Sequence, residues 1–200
     1  MAYKFDEQSA LARMRDMGIT ASPITFGMVK SDAIYRDNDV IIPTMFRMIH
    51  DAGFYVPRMV LDMGMTESEI REFYHDKVSE SYFPQILNSV SGDLHTFLIA
   101  RRPETPPWVC AVEAWRNIIG ATNSAEAKPG TLRHRFGGWR ILGSPIADNA
   151  FHGSDSLENA IREVRIVSGD GRTERELEDH ISRVFIPHAW QTQSNGSRHF

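Results

Sequence analysis

The octet Asn149-Ala150-Phe151-His152-Gly153-Ser154-Asp155-Ser156 holds the residue types best suited to chemistry in this chain. Imidazole is an uncharged nucleophile near neutral pH. A helix start offers phosphate its free backbone N–H groups and the positive end of the macrodipole. His152 is predicted to stand one residue before such a start, because Leu157, Ala160, Ile161 and Val164 recur at the spacing of a single helical face. Ser154, Asp155 and Ser156 are rival caps, and Asp155 and Glu158 have capping-box spacing. A histidine so placed can accept a phosphoryl group and pass it on. The octet alone does not decide this, since a single histidine near a helix cap is more often structural or solvated.

The flanking sequence predicts the elements that position the octet. Residues 1–22 read as a short polar extension with one amphipathic turn around Leu11 and Met14. Ile24 to Val29 reads as a strand that runs into Lys30-Ser31-Asp32. Pro43 suits the first position of a helix whose buried face carries Met45, Phe46, Ile49 and Ala52, with Gly53 past its end. Phe54 to Met63 reads as a second strand, its Pro57 marking an edge or bulge. Thr66-Glu67-Ser68-Glu69 is a capping box opening a helix with Ile70, Phe73 and Tyr74. Tyr82 to Val90 reads as a short helix, Leu94 to Ala100 as a third strand, and Arg101 to Pro107 as a Pro-rich loop. Trp108, Val109, Val112, Trp115 and Ile119 mark a helix ending at Gly120. Residues 120–149 show little periodicity, and a fourth strand is expected near Ile141 to Ala147 or just after. Thr173-Glu174-Arg175-Glu176 opens a last helix with Leu177, Ile181 and Val184, and the tail from Ile186 turns polar and is expected to fray. Strands interleaved with helix pairs point to one sheet covered by helices, an α/β arrangement.

Composition narrows the function classes. Apolar content of 42% and charged content of 24% are those of an ordinary globular domain. A net charge of −4 argues against nucleic acid or membrane as a partner, so any positive charge for phosphate must be local. The single cysteine, Cys110, lies among apolar residues and has no internal disulfide partner, which fits a reducing compartment and a cytoplasmic location. No apolar run approaches membrane-spanning length, and the charged first twenty residues do not read as a signal peptide. His50, His75, His95, His180, His188 and His199 show no ligand spacing, so no protein-held metal is expected.

Four segments in order carry a resemblance. The chain resembles the nucleoside diphosphate kinase family over roughly residues 23–167. The octet around His152 is similar to that family's active-site signature. Val29-Lys30-Ser31-Asp32 is similar to its first-strand Lys-Pro-Asp, and Phe73-Tyr74 with Tyr82-Phe83-Pro84 to its aromatic helices. Gly120-Ala121-Thr122-Asn123 followed by Lys128-Pro129-Gly130-Thr131-Leu132-Arg133 is similar to its Gly-x-Thr-Asn…Lys-Pro-Gly-Thr-Ile-Arg loop.

The resemblance implies a ferredoxin-like βαββαβ sandwich, an α+β fold whose four-stranded antiparallel sheet is covered by helices. It implies a homo-oligomer (hexamer, tetramer or dimer) and domain limits of 1–22, 23–167 and 168–200 for extension, kinase-like domain and C-terminal helix with tail. It implies a ping-pong exchange in which ATP phosphorylates His152, ADP leaves, and a second nucleoside diphosphate takes the phosphate, with Mg2+ accompanying the nucleotide. Family roles then fall residue by residue. Glu163 orients the ring, and Ser154 hydrogen-bonds that glutamate. Lys30, Arg116 and Arg133 supply the cationic contacts, and Thr122 a hydroxyl contact. Tyr74 lines the phosphate site. Asn149 and Lys30 bind the ribose 3′-hydroxyl, and Tyr82 stacks on the base where the family usually has Phe.

The sequence departs from the family at several points. Ser31 replaces a proline, His134-Arg135 replaces Gly-Asp, the stretches Arg101 to Pro107 and Gly138 to Asp148 are longer, and the chain after Val167 does not match the usual ending. An alternative expectation is therefore a nucleotide-binding regulatory protein of the same fold with little or no turnover. A protein-histidine phosphotransfer partner is a lesser one.

Overall fold

The computed structural model of the chain describes residues 6–138, 149–168 and 171–183. Helix α1 (Glu7–Asp16) is followed by strand β1 (Ile24–Val29), helix α2 (Ser31–Asp51), strands β2 (Phe54–Tyr55) and β3 (Met59–Met63), and helices α3 (Glu67–Phe73) and α4 (Phe83–Val90). Strand β4 (Leu94–Arg101), helices α5 (Ala111–Ile119) and α6 (Leu132–Phe136), strand β5 (Phe151–Gly153) and helices α7 (Leu157–Val167) and α8 (Arg172–Arg183) complete it.

The strands form one antiparallel sheet in the order β2-β4-β1-β5, with β3 also on β4. The expected second strand is present but broken. Pro57 has no N–H for the ladder, and the β3 register slips between Val60 and Met63, where Asp62 takes a positive φ of 52°. Counted as one interrupted edge strand, β2 and β3 give the βαββαβ order of a ferredoxin-like sandwich.

The sheet separates two apolar layers, because side chains alternate along each strand. Ile24, Phe26 and Met28 of β1 and Leu94, Leu98 and Ala100 of β4 face α1, α3, α7 and α8. Val29 of β1 and Phe97 and Ile99 of β4 face α2, α5 and α6. The β1 strand is buried throughout, as its run of β-branched and apolar residues requires at the centre of a sheet.

Several elements differ from their sequence-based expectations for local reasons. The turn expected near Leu11 and Met14 is the full helix α1, started by Asp6, whose side chain accepts from the Ser9 N–H. Ala10, Leu11 and Met14 are buried by it. Helix α2 begins at Ser31 rather than at Pro43, and its backbone breaks at Asp37 (φ −142°, ψ 27°), leaving Pro43 inside. Phe46 is 39% exposed rather than buried. Trp108 precedes α5 and is 76% exposed, so it is no part of that helix's buried face. The loop after Gly120 contains a 3-10 turn (Ser124–Glu126) and α6. The strand expected around Ile141 to Ala147 falls on residues outside the described ones, as do Val184 and the polar tail. The strand that completes the sheet lies just after them and carries His152 itself. His152 is thus not at a helix start. Helix α7 begins at Leu157, capped by Ser156, which accepts from the Asn159 N–H at 3.0 Å. The Asp155–Glu158 box does not form, and Asp155 instead accepts from the Asn159 side chain at 2.6 Å. The Thr66–Glu69 box forms as expected.

Helix α8 packs on β1, β4 and α7. Its buried His180 pairs with the Tyr55 hydroxyl at 2.8 Å, while Leu177 and Ile181 enter the layer that holds α1.

One close approach fixes the position of β5. Gly27 and Gly153 are register partners, and the Trp115 indole lies against both. A Cβ on Gly153 would meet Trp115 Cδ1 at 2.6 Å, and one on Gly27 would meet the Phe97 ring at 2.6 Å. The indole N–H donates to the His152 carbonyl at 3.1 Å. Gly153→Ala is expected to destabilise the fold by about 1–3 kcal/mol, the usual range for overpacking. A urea midpoint equal to that of the parent protein would show that Trp115 can move away freely.

Candidate active site

The pleat of β5 decides where the imidazole goes. Phe151 faces Trp115 and the α5 layer, so His152, its neighbour and the register partner of Met28, faces the opposite layer. There its ring meets Phe73 edge-on at 4.9 Å, Tyr74 at 5.8 Å and Phe26 at 6.2 Å between centroids. These rings leave the His152 side chain only 16% exposed.

Glu163 approaches from α7. The residue is buried on the inward face of that helix, and its Oε2 lies 2.9 Å from His152 Nε2. The Ser154 hydroxyl donates to the same oxygen at 2.5 Å. A carboxylate oxygen only accepts, so the ring proton belongs on Nε2 and the lone pair on Nδ1. Among the described residues Nδ1 has no hydrogen-bond partner. The site therefore holds an oriented, nucleophilic nitrogen backed by a buried acceptor.

Polar groups gather around that ring. Tyr74 buries its hydroxyl with no hydrogen-bond partner among the described residues. Burial and then the nearby Glu163 charge push its ionisation well above the usual phenol range, so it is a neutral O–H donor. Arg133 is 7% exposed and donates to the Gly120 carbonyl at 2.9 Å and the Phe151 carbonyl at 2.8 Å, while its Nε is unpaired. Burial, then the Arg116 charge, pull its ionisation down from the ordinary guanidinium range to about 10. Arg116 itself is exposed on α5. Asn149 is buried, donates to the Thr122 carbonyl at 3.0 Å and keeps an unpaired Oδ1. Between Asn149 and Phe151, Ala150 is held at φ 62°, a conformation L-residues adopt at a cost. Its carbonyl accepts from the N–H of Lys30, a buried residue at the start of α2.

The structure thus brings Glu163, Tyr74 and, through the shared carboxylate oxygen, Ser154 to His152, while Arg133 joins β5 at the Phe151 carbonyl, Asn149 stands just before the strand and the Lys30 backbone joins it at Ala150. Arg116 acts on Arg133 through charge. Thr122 is exposed and reaches the group through its carbonyl. Tyr82 is half-buried with Tyr74 against Phe83 and Ile86, at the edge of the group. Sequence reasoning missed Phe26 as a wall of the ring, because no local signal reports that Met28 and His152 are register partners. A cavity of about 470 Å³ lies elsewhere, between α1 and the starts of α5 and α7, and a groove of about 600 Å³ lies between α3 and α7. Neither touches His152, whose chemistry comes from oriented polar groups.

The chain belongs to the nucleoside diphosphate kinase family, whose model matches residues 24–171. A nucleoside diphosphate kinase of Deinococcus radiodurans is 31% identical over 147 residues, covering 74% of this chain and 95% of the relative. One of Streptococcus thermophilus is 32% identical over 146 residues, covering 73% and 98%. Among solved structures, the nucleoside diphosphate kinase of Encephalitozoon cuniculi matches with a TM-score of 0.59 and 26% identity, covering 74% of this chain and 90% of that one. That of Aquifex aeolicus matches with a TM-score of 0.57 and 25% identity, covering 72% and 93%. Membership makes this chain a nucleotide-binding kinase, an enzyme of the phosphotransferase class. Among the described residues no helix is long and apolar enough to cross a membrane.

Arg133 carries a sign that can be checked. Its folded value lies below the ordinary guanidinium range, so folding disfavours its charged form, and that cost is present below about pH 10 and fades as pH rises above it. An anion beside it reverses the effect. Pyrophosphate is expected to raise the thermal midpoint at pH 7, and the gain is expected to shrink above about pH 10. An unchanged midpoint at pH 7 would show that the guanidinium meets no anion.

Proposed function

We propose that this enzyme moves the γ-phosphate of a nucleoside triphosphate to a nucleoside diphosphate by a ping-pong mechanism through phospho-His152. The observation that carries the reading is the 2.9 Å contact from Nε2 to Glu163, which leaves Nδ1 as the nucleophile. In the first half-reaction the Nδ1 lone pair forms a bond to the γ-phosphorus, the bond from that phosphorus to the β–γ bridging oxygen breaks, and the diphosphate departs. The positive charge that develops on the ring is stabilised by Glu163, held in place by Ser154. In the second half-reaction a terminal oxygen of another diphosphate attacks the same phosphorus and the N–P bond breaks.

Such a transfer is mostly positioning and charge neutralisation. In this reading Arg116, Arg133 and Lys30 neutralise phosphate oxygens, the arginines through planar forks that grip two at once. Tyr74 and Thr122 donate hydroxyls. Asn149 and Lys30 hold the ribose 3′-hydroxyl, and Tyr82 stacks on the base, a contact that tolerates any base. ATP and nucleoside diphosphates are the substrates, and Mg2+ arrives with them on phosphate oxygens. Residues 23–167 form the catalytic domain, flanked by the segments 1–22 and 168–200. Assembly into a homo-oligomer and a cytoplasmic location complete the proposal, the latter supported by the single cysteine and the lack of a long apolar segment. The rival reading, a regulatory protein without turnover, is disfavoured by the intact His152–Glu163 contact.

Exposure to Mg-ATP is expected to leave an acid-labile phosphoryl group on the parent protein and none on His152→Ala. No such adduct on nucleotide-binding parent protein would end the proposal. Tyr82→Ala is expected to weaken ADP binding by about 1–3 kcal/mol, the value of one lost stack. Unchanged affinity in calorimetry would return Tyr82 to the core.

A further inference from the structure

We propose that Arg162 is a positioning residue that couples the two supports of the His152 ring, its carboxylate partner and its aromatic wall. The inference rests on reading His152 as the phosphoryl carrier.

Neighbouring residues on a helix point in different directions, and Arg162 precedes the inward-facing Glu163. Its side chain, 32% exposed, leaves α7 toward the C-terminal end of α3. There Nη1 donates to the Glu72 carbonyl at 3.1 Å and Nη2 to the Phe73 carbonyl at 3.2 Å. These carbonyls are among the last of α3 and have no acceptor role inside the helix. A cation at that end also meets the negative pole of the helix. The bonds fix the backbone of Phe73, and so of Tyr74 beside it, whose rings stand 4.9 Å and 5.8 Å from the imidazole.

The other end of the contact is Glu163. Arg162 Nη2 lies 3.7 Å from Oε1, the oxygen that does not bind the ring, while Oε2 takes His152 and Ser154. The guanidinium thereby places a positive charge beside the carboxylate oxygen that faces away from the ring. The arginine is itself steered, because its Nε donates to Asn159 Oδ1 at 3.3 Å, and Asn159 is fixed by Ser156 and Asp155 at the start of α7. One side chain thus joins the loop after His152, the carboxylate behind the ring and the wall beside it. Displacement of either support would turn Nδ1 away from the line of attack while leaving the proposed nucleotide contacts of Lys30, Arg116, Arg133, Asn149 and Tyr82 in place.

The test separates chemistry from binding. Single-turnover phosphorylation by Mg-ATP is followed by quench, and ADP affinity is measured by calorimetry. Arg162→Ala is expected to slow phosphorylation by about 10- to 100-fold, the scale seen for groups that orient a functional ligand. ADP affinity is expected to stay within about twofold, the pattern of a lost transition-state contact. Arg162→Lys is expected to fall between the two, since it restores charge near Oε1 but not the fork to two carbonyls. A folded Arg162→Ala protein that phosphorylates at the parent rate would overturn the inference. So would equal losses of rate and affinity, which would mark general loosening. If Arg162→Ala fails to fold, Arg162→Gln, which keeps an N–H donor for one carbonyl, carries the same comparison. Failure of the parent protein to form any phosphohistidine would sink the proposed function instead, and the two failures are distinguishable.

Discussion

The contact between Glu163 and His152 is the constraint around which the molecule is arranged. A carboxylate buried this deeply must be hydrogen-bonded, and here its partners are a ring nitrogen on β5 and a hydroxyl just after that strand. The two sides are fixed independently. Pairing with β1 and the Trp115 indole hold β5, whereas the Ser156 cap and a buried stripe of Leu157, Ala160, Ile161 and Val164 hold α7. Under the proposed function the sandwich matters because it brings a strand residue and a helix residue eleven positions apart in the chain to hydrogen-bonding distance. Neither element alone dictates the tautomer of the ring.

Around that pair the protein tolerates unfavourable local features. The Tyr74 hydroxyl, Asn149 Oδ1 and Arg133 Nε are buried without partners among the described residues. Two guanidiniums repel each other, and a non-glycine residue holds a left-handed backbone at Ala150. Each is a cost to folding, and all lie close to one strand end. The Tyr74 hydroxyl and Arg133 Nε are donors and, with the concentrated positive charge, suit a polyanion, whereas Asn149 Oδ1 is an acceptor and suits a hydroxyl; under the proposed transfer their fixed placement means little rearrangement as charge develops.

Much of this was legible in the sequence, and the gaps have physical causes. The octet, the Thr66–Glu69 box and the hydrophobic runs of β1 and β4 are local signals, and local signals survive folding. The placement of His152 was misread because the apolar stripe of α7 announces a helix without saying how many residues of turn precede it. Three-residue strands such as β5 have no periodicity to detect. Asp37, rather than Pro43, carries the break in α2, since a proline can be accommodated where packing is strong. Trp108 shares the apolar spacing of α5, yet it precedes that helix and is exposed, because only tertiary packing decides whether a large ring is covered. The role of Arg162 depends on a contact between distant segments, which spacing in one chain does not encode.

The sheet's first apolar layer is closed by helices on both sides of the stretch shared with relatives. Ala10, Leu11 and Met14 come before residue 24, and Leu177 and Ile181 come after residue 171. As a hydrophobic unit the domain is therefore wider than its evolutionary outline. A gene fragment trimmed to residues 24–171 would remove these five apolar side chains from the layer and turn part of it toward water, inviting aggregation for reasons unrelated to His152 and its partners.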